Sequence, residues 1–150
     1  MKRKETICFK IKTSWHAISR MYNEEAAKHG LSASIGYVLL NIDEEHGTPA
    51  TKIGPQIGME SRSLTRMLKS LEETGLIERK ADDKDKRLVK ICLTAKGKEK
   101  KELAKIVVKK FNNVVKEEIS TEKLAIFFEV VEKINKIIEQ KNIYKSESTF

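Results

Sequence analysis

The chain has 150 residues, 39% of them hydrophobic and 35% charged, which is enough for one domain with a buried core and wide solvated faces. Lys and Arg outnumber Asp and Glu by 30 to 22, so the formal net charge is +8, and such a surplus favours a polyanionic partner, most commonly nucleic acid. Because no apolar stretch reaches the length of a signal peptide or a membrane span, the sequence argues against a membrane partner and favours a cytoplasmic location.

Two amphipathic helices are predicted at the start of the chain. In the first, apolar residues recur every three or four positions, as one face of a helix requires. They are Ile7, Ile11, Trp15, Ile18 and Tyr22. Gly30 ends this helix, Ser32 is expected to cap the second, and His46-Gly47 stops it.

A short third helix and a fourth helix should follow. Thr48 is expected at the cap and Pro49 at the first helical position of the third helix, which covers about Ala50–Ile57. Ser61 is expected to cap the fourth helix, which runs to Thr74.

The hydrophobic period changes after Gly75. Leu76–Arg79 is typical of a short strand, residues 80–87 form a charged loop, and Leu88–Leu93 is typical of a returning strand. Two more helices follow, one capped by Thr94 and one by Ser120. Four helices, a hairpin and two helices predict a mainly α (α+β) fold, namely a winged helix-turn-helix with long N- and C-terminal helices.

The fourth helix has opposite apolar and basic faces. Leu64, Leu68 and Leu71 converge on one side of a helical wheel. The other side offers cations and hydroxyls that suit a DNA major groove, because Arg pairs bidentately with guanine while Ser and Thr bond phosphates or bases. The candidate DNA-binding residues are Ser61, Arg62, Ser63, Thr65, Arg66 and Lys69. An ordinary solvated basic face is the alternative, which the position before a hairpin disfavours.

The hairpin tip is the second candidate DNA contact. Its residues are Lys84, Asp85, Lys86 and Arg87. In a strand-like tip Asp85 and Arg87 would share a face, and an ion pair between them would hold Arg87 extended towards a narrow minor groove. A merely soluble loop is the alternative.

These segments together resemble the MarR family of bacterial transcriptional regulators. The matching residues are Leu64-Thr65-Arg66, Leu71-Glu72, Gly75-Leu76-Ile77-Glu78-Arg79, Asp85-Lys86-Arg87 and Leu93-Thr94-Ala95-Lys96-Gly97. The resemblance implies a repressor that is not an enzyme, and a dimer joined by its terminal helices. It places Arg66 on the recognition helix and Asp85 with Arg87 in the wing, while Lys86 stands where many members carry a second Arg.

The residues themselves also predict a homodimer. The first, fifth and sixth helices carry more apolar surface than one small domain covers, and two copies related by a two-fold axis would bury it. The DNA site should then be a palindrome with half-sites about one turn apart. We accordingly divide the chain into a dimerisation region (1–30 and 95–142), a DNA-binding region (31–94) and a flexible tail (143–150).

Two regulatory inputs stay open at this stage. Regulators resembling this chain commonly release DNA when a small aromatic or other organic effector binds where the dimerisation and DNA-binding parts meet. The ligand candidates here are Trp15, His16, Arg20 and Tyr22, which could instead simply pack or face water.

The alternative input is oxidation of Cys8. The organic-hydroperoxide sensors of the same family show a similar Cys-Phe start and a Tyr at the offset of Tyr22. Lys12 and Ala33 stand where those sensors carry further tyrosines, so an inert Cys8 is the competing interpretation.

Other classes of protein find less support. The two cysteines, Cys8 and Cys92, form no CxxC pair and have no His at metal-ligand spacing, so neither a metal nor another cofactor is expected. No catalytic constellation surrounds the three histidines. A non-specific DNA-coating protein and a protein-binding winged helix would both keep the fold, and sequence preference for DNA separates them from a regulator.

Overall fold

The computed structural model describes residues 2–141 and 143. The predicted tail, 143–150, therefore lies outside the described residues except for Ile143. After a short 3₁₀ turn at Arg3–Glu5, the elements are α1 (Ile7–Ala27), α2 (Ala33–Leu40), β1 (Thr48–Pro49), α3 (Ala50–Ile57), α4 (Ser61–Glu73), β2 (Ile77–Ala81), β3 (Val89–Leu93), α5 (Ala95–Glu118) and α6 (Thr121–Gln140). This order confirms the predicted mainly α winged helix-turn-helix.

The chain divides into two units, residues 1–108 and 109–150. In the first unit, one apolar core joins α2, α3, α4 and the sheet. Its most deeply buried side chains are Val38, Leu39, Ile42, Ile53, Leu71, Ile77 and Ile91. Because these residues come from every element of the helix-turn-helix and from both long strands, a single core sets the position of α4 relative to the hairpin.

The three strands form an antiparallel sheet in the order β1-β3-β2. In the hairpin, Ile77 pairs with Leu93 and Ala81 pairs with Val89. Ile77, Ile91 and Leu93 are buried, whereas Glu78 and Lys80 are exposed, so the hairpin contributes to the core through its end next to α4 and α5.

Several helix caps lie where the sequence predicts them. The Ser32 hydroxyl accepts a hydrogen bond from the Ile35 N–H at 3.2 Å, and the Ser120 hydroxyl accepts from the Lys123 N–H at 3.4 Å. At the start of α5 the Thr94 hydroxyl accepts from the Gly97 N–H at 3.0 Å. Each bond satisfies a backbone donor that a helix leaves unpaired at its first turn.

The predicted bounds of the third helix, Ala50–Ile57, are confirmed, but the roles predicted for Thr48 as its cap and Pro49 as its first residue are wrong. Thr48 and Pro49 form the edge strand β1, in which Thr48 pairs with Ile91, and Pro49 occupies the cap position of α3. The Thr48 hydroxyl accepts from the Asp43 N–H at 2.8 Å and donates to the Asn41 carbonyl, so it closes the preceding loop. Pro fits because an edge strand tolerates a missing N–H.

The predicted cap of the fourth helix is also wrong. The cap residue of α4 is Glu60, whose backbone is extended, and its side chain makes no capping bond. Ser61 is the first helical residue instead. The helix starts here because Gly58 turns the chain with a φ of 65°, a backbone conformation that glycine adopts most readily.

Three lysines of α5 fasten it to the ends of other helices in the first unit. The ammonium of Lys96 donates to the Thr74 carbonyl at 3.4 Å, just after α4. Lys100 donates to the carbonyl of His29 at 2.7 Å, and Lys101 donates to that of Ile42 at 2.5 Å. A cation at the carboxyl end of a helix satisfies unpaired carbonyls and complements the helix dipole.

We expect Lys101→Met to lower the free energy of unfolding by about 2 kcal/mol, because it leaves the buried Ile42 carbonyl without a donor. Only 7% of Lys101 is exposed, and its ammonium also lies 3.5 Å from a Glu44 carboxylate oxygen. Urea unfolding measures the change. Lys98→Met, an exposed position on the same helix, is the matched control, and equal effects of the two substitutions would contradict the assignment.

The second unit contains α6, whose apolar side chains are mostly exposed. Leu124, Val131 and Ile134 are half-buried. The exposed ones are Ile126, Phe127, Phe128, Val130, Ile137 and Ile138. Despite this apolar surface, none of the described helices is long and apolar enough to cross a membrane.

Candidate nucleic-acid interface

The α4 helix is anchored by its leucine face. Leu64, Leu68 and Leu71 are 6%, 3% and 1% exposed, so this face belongs to the core. The candidate DNA-binding residues on the other side of α4 are exposed. They are Ser61, Arg62, Ser63, Thr65, Arg66 and Lys69. The sequence-predicted residues of the fourth helix therefore share one accessible surface, with two arginines near its centre.

The cationic side chains of this surface have few carboxylate partners within the protein. Within the described part of the chain, no carboxylate pairs with Arg62 or Arg66. Lys69 approaches Glu73 at 3.9 Å with both side chains largely exposed, and such pairs contribute little. The Thr65 hydroxyl donates to the Ser61 carbonyl at 2.8 Å. The two guanidinium groups therefore keep all their donors for an external partner.

The tip of the wing is a turn rather than an extended strand. The Leu88 N–H donates to the Asp85 carbonyl at 2.9 Å, which closes a four-residue turn. The Asp85 carboxylate accepts from the backbone N–H of Arg87 at 3.0 Å. The predicted ion pair between these two side chains is therefore wrong, because side chains two apart in a turn do not share a face. Lys84, Lys86 and Arg87 are exposed.

Asp82 organises the base of this tip, and sequence reasoning missed it. One of its carboxylate oxygens lies 2.8 Å from the Lys90 ammonium. The other accepts from the N–H groups of Lys84 at 2.8 Å and Asp85 at 3.1 Å. The hydrogen bond from Lys90, followed by those from the two backbone groups, lowers the pKa of Asp82 to about 2. In the sequence, nothing distinguishes Asp82 from its neighbour Asp83.

A further ion pair links the wing to the recognition helix. The Arg79 guanidinium donates to a Glu72 carboxylate oxygen at 3.2 Å. Arg79 lies on β2 and Glu72 near the end of α4. Both belong to the motif segments singled out in the sequence, but their contact with each other was not predicted.

Two of the four ligand candidates take part in an aromatic cluster. Tyr22 is buried, and its ring meets that of Tyr37 edge-on with centroids 6.2 Å apart. The Trp15 ring lies 5.6 Å from that of Tyr37. Burial raises the pKa of Tyr22 and of Tyr37. The other two candidates, His16 and Arg20, are exposed, and the structure does not bring them into this cluster.

A small apolar cavity of about 40 Å³ lies next to the cluster. Residues of α1, α2 and α5 line it, and they include Tyr22, Gly36, Tyr37, Leu103, Ala104 and Val107. The α5 lining was not predicted, because contacts between residues about seventy positions apart leave no local signal in the sequence.

Cys8 is exposed on the first turn of α1, with its sulfur 3.5 Å from the Thr6 hydroxyl. Tyr22 lies fourteen residues later on the same helix, which corresponds to about 21 Å along its axis. The two side chains of one chain therefore do not meet. No group of His, Cys, Asp and Glu among the described residues could hold a metal ion.

Comparison with known proteins decides the family. Residues 31–89 match the MarR family model. Over 107 residues the chain is 33% identical to the HTH-type transcriptional regulator SarZ of Staphylococcus aureus, and the match covers 71% of this chain and 72% of SarZ. The chain belongs to the MarR family. It is a DNA-binding transcriptional regulator, and the proteins that it matches are regulators rather than enzymes.

This MarR-family regulator is also similar to a second curated regulator and to a solved structure. It is 38% identical over 92 residues to the HTH-type transcriptional regulator TtmR of Methylorubrum extorquens. That match covers 61% of this chain but only 47% of TtmR, so it spans about half the length of that relative. Among solved structures, the S. aureus MepR–DNA complex superimposes with a TM-score of 0.77 at 18% identity, covering 86% of this chain and 96% of MepR. This likeness shows the shared fold.

Proposed function

We propose that this MarR-family regulator is a sequence-specific repressor that binds a palindromic operator as a homodimer and is released by a small organic effector. The observation that carries the proposal is the exposed face of α4, where Arg62 and Arg66 stand without a carboxylate partner among the described residues. Burying two such charges against another protein would be costly, whereas phosphates and guanine edges satisfy them.

The chemistry of each side chain suggests its role on DNA. The guanidinium of Arg66 presents two parallel N–H donors to O6 and N7 of a guanine in the major groove. The hydroxyls of Ser61 and Ser63 and the ammonium of Lys69 fit phosphate oxygens. The Thr65 hydroxyl donates to the Ser61 carbonyl, so it is suited to accept a hydrogen bond from the amino group of a base. At the wing, we propose that Arg87 enters the adjacent minor groove while Lys84 and Lys86 contact the DNA backbone.

Selection of binding sites from a pool of random duplex DNA tests this proposal. Wild-type protein should recover a palindrome, and Arg87→Ala should weaken binding mainly through the flanks of that site. Enrichment of no sequence, together with strongly salt-dependent binding, would instead indicate a DNA-coating protein. Placing the recovered palindrome over a reporter promoter then tests repression, since an activator would raise the reporter signal.

Exposed apolar surface supports the dimer. On α1, Ile7 is 63% exposed and Trp15 is 49% exposed. On α6, Phe127 and Phe128 are 58% and 56% exposed. Surfaces of this kind are unfavourable in water and are typical of interfaces. We therefore assign 1–30 and 95–142 to dimerisation and 31–94 to DNA binding.

Sedimentation should give a particle of twice the chain mass at micromolar concentration. Phe127→Glu should shift it to the monomer, because a charge buried in an apolar interface is strongly disfavoured, and binding to the palindrome should fall with it. Glu129→Gln, an exposed position on the same helix, is the control and should stay dimeric. A wild-type monomer would contradict the assignment.

The apolar cavity beside Tyr22 and Tyr37 supports the effector proposal. Its lining is almost entirely carbon, and an enlarged form of it would suit an aromatic molecule. The cavity is bounded by Leu103 and Ala104 of α5. Lys96 of the same helix holds the carbonyl of Thr74 at the end of α4. A ligand that pushes α5 away from α2 would therefore disturb the recognition helix.

Ala104→Val should weaken release by an effector while leaving DNA binding intact, because two added methyl groups occupy the small cavity with less overpacking than a larger side chain would cause. A panel of phenols and aromatic carboxylic acids, added to the complex with labelled palindromic DNA, identifies compounds that release the wild type. Release of the Ala104→Val variant at the same concentration would indicate that the effector binds elsewhere. His16→Ala and Arg20→Ala then test the two exposed candidates.

A further inference from the structure

We propose that Asp82 and Lys90 are positioning residues for DNA binding, holding the wing tip in the conformation that presents Arg87. The inference rests on the proposed function, in which Arg87 enters the minor groove. In this proposal neither Asp82 nor Lys90 contacts DNA. Both residues instead stabilise the conformation of the protein backbone at the tip, where Arg87 contacts the DNA.

Asp82 lies at the last step of the hairpin ladder, and Lys90 lies within the ladder, paired with Lys80. Beyond the pairing of Ala81 with Val89, the Asp82 N–H donates to the Leu88 carbonyl at 2.9 Å. After this step the strands separate into the tip. The regular ladder of backbone hydrogen bonds therefore ends at Asp82. Beyond it, the conformation of the tip depends on other hydrogen bonds.

The side chains of Asp82 and Lys90 are largely shielded from solvent, unlike those of the residues between them. They are 14% and 22% exposed, whereas every residue from 83 to 89 is exposed. An ion pair in full solvent contributes little, but a shielded pair with short charge-assisted hydrogen bonds is stronger. The ion pair between Asp82 and Lys90 is thus shielded from solvent, and it lies at the base of the tip.

The Asp82 carboxylate joins three parts of the wing at once. One oxygen binds the Lys90 ammonium on β3, and the other accepts the N–H groups of Lys84 and Asp85. Asp85 in turn fixes the N–H of Arg87. A continuous chain of hydrogen bonds therefore runs from the sheet to the backbone of the predicted minor-groove residue. Such preordering lowers the entropy lost when the tip docks.

Charge alone predicts the opposite of this proposal, which makes the test sharp. Removing a carboxylate near DNA should strengthen binding, because one repulsive charge is lost. If Asp82 positions the tip, its removal should weaken binding. Asp83 is the matched control, since it is the adjacent residue, carries the same charge and is exposed.

The experiment measures the affinity of the full-length protein for the palindrome recovered with the wild type. Asp83→Ala should bind as tightly as wild type or more tightly, and Asp82→Ala should bind on the order of tenfold more weakly. In an Arg87→Ala background the further effect of Asp82→Ala should shrink to less than about threefold, since most of its effect acts through Arg87 and only the backbone contacts of Lys84 and Lys86 remain. Lys90→Met should be non-additive with Arg87→Ala in the same way.

Amide hydrogen exchange reports on the tip without DNA. The N–H groups of Lys84 and Asp85 should exchange faster in Asp82→Ala than in Asp83→Ala, while those of β2 and β3 stay protected. Asp82→Asn, which keeps an oxygen acceptor of the same size, serves if the alanine variant folds poorly, and it should also bind more weakly than wild type.

Two results would overturn the inference while leaving the proposed function intact. One is a wild type that selects a palindrome together with Asp82→Ala that binds it equally well. The other is a loss of affinity that is fully additive with Arg87→Ala. A wild type that retains no DNA would overturn both.

Discussion

Gly97→Ala is expected to lower the free energy of unfolding by about 3 kcal/mol, at the upper end of the usual cost of overpacking. A Cβ at Gly97 would collide with the carbonyl oxygen of Leu76 and lie 3.0 Å from its carbon. The backbone cannot withdraw easily. The Thr94 hydroxyl accepts from the Gly97 N–H at 3.0 Å and donates to the Gly75 carbonyl at 2.6 Å, so α5 is fastened at this point.

Urea unfolding of Gly97→Ala and of Gly36→Ala, compared with wild type, tests this expectation. Gly36 lies inside α2, and a Cβ there would make an ordinary contact of 3.7 Å with the Ala104 Cβ. The control should be stabilised by up to about 1 kcal/mol, because alanine has the higher helix propensity. If Gly97→Ala unfolds at the same denaturant concentration as wild type, α5 does not depend on this close approach.

The local signals in the sequence were sufficient for most of the fold. Caps at Ser32, Thr94 and Ser120 and the leucine ridge of α4 depend on residues within one or two helical turns, so periodicity and cap chemistry predict them. The edge strand at Thr48 and Pro49, which precedes α3, could not be predicted in this way. Thr48 and Pro49 pair with residues of β3 more than forty positions later, and that pairing overrides a good local helix start.

In the candidate interface, too, some features follow from local sequence signals and others do not. The exposed face of α4 follows from helical geometry, so the sequence was sufficient to group Arg62, Arg66 and Lys69. The wing tip is a run of charges, and a charge run does not specify which carboxylate meets which cation. That choice between Asp82 and Asp85 is made by the turn, in which Asp82 reaches across to Lys90.

Long-range contacts set the features that sequence reasoning missed entirely. Lys100 and Lys101 meet carbonyls 71 and 59 residues earlier, and the cavity next to Tyr37 exists because α5 packs across α2. A lysine on an amphipathic helix is normally solvated, so no local pattern marks these as anchors.

Arg66→Ala is expected to remove most of the preference for the palindrome while leaving the fold unchanged. One bidentate pair between Arg and guanine is worth about 1–3 kcal/mol, and a two-fold symmetric dimer makes it twice. We therefore expect a loss of about 4 kcal/mol for the palindrome, which corresponds to roughly a thousandfold in affinity. Arg66 is exposed on α4, and alanine is a strong helix former, so the melting temperature should not fall.

The affinities of Arg66→Ala for the palindrome and for a scrambled duplex, each measured over a range of salt concentrations, separate base reading from phosphate binding. Lys69→Ala is the contrasting variant, since loss of a phosphate contact should weaken both duplexes alike and reduce the salt slope by about one per contact. Arg66→Ala should weaken the palindrome far more than the scrambled duplex. Equal losses on both would mean that Arg66 binds the backbone, and that base discrimination must be assigned to Arg62 and the hydroxyls around it.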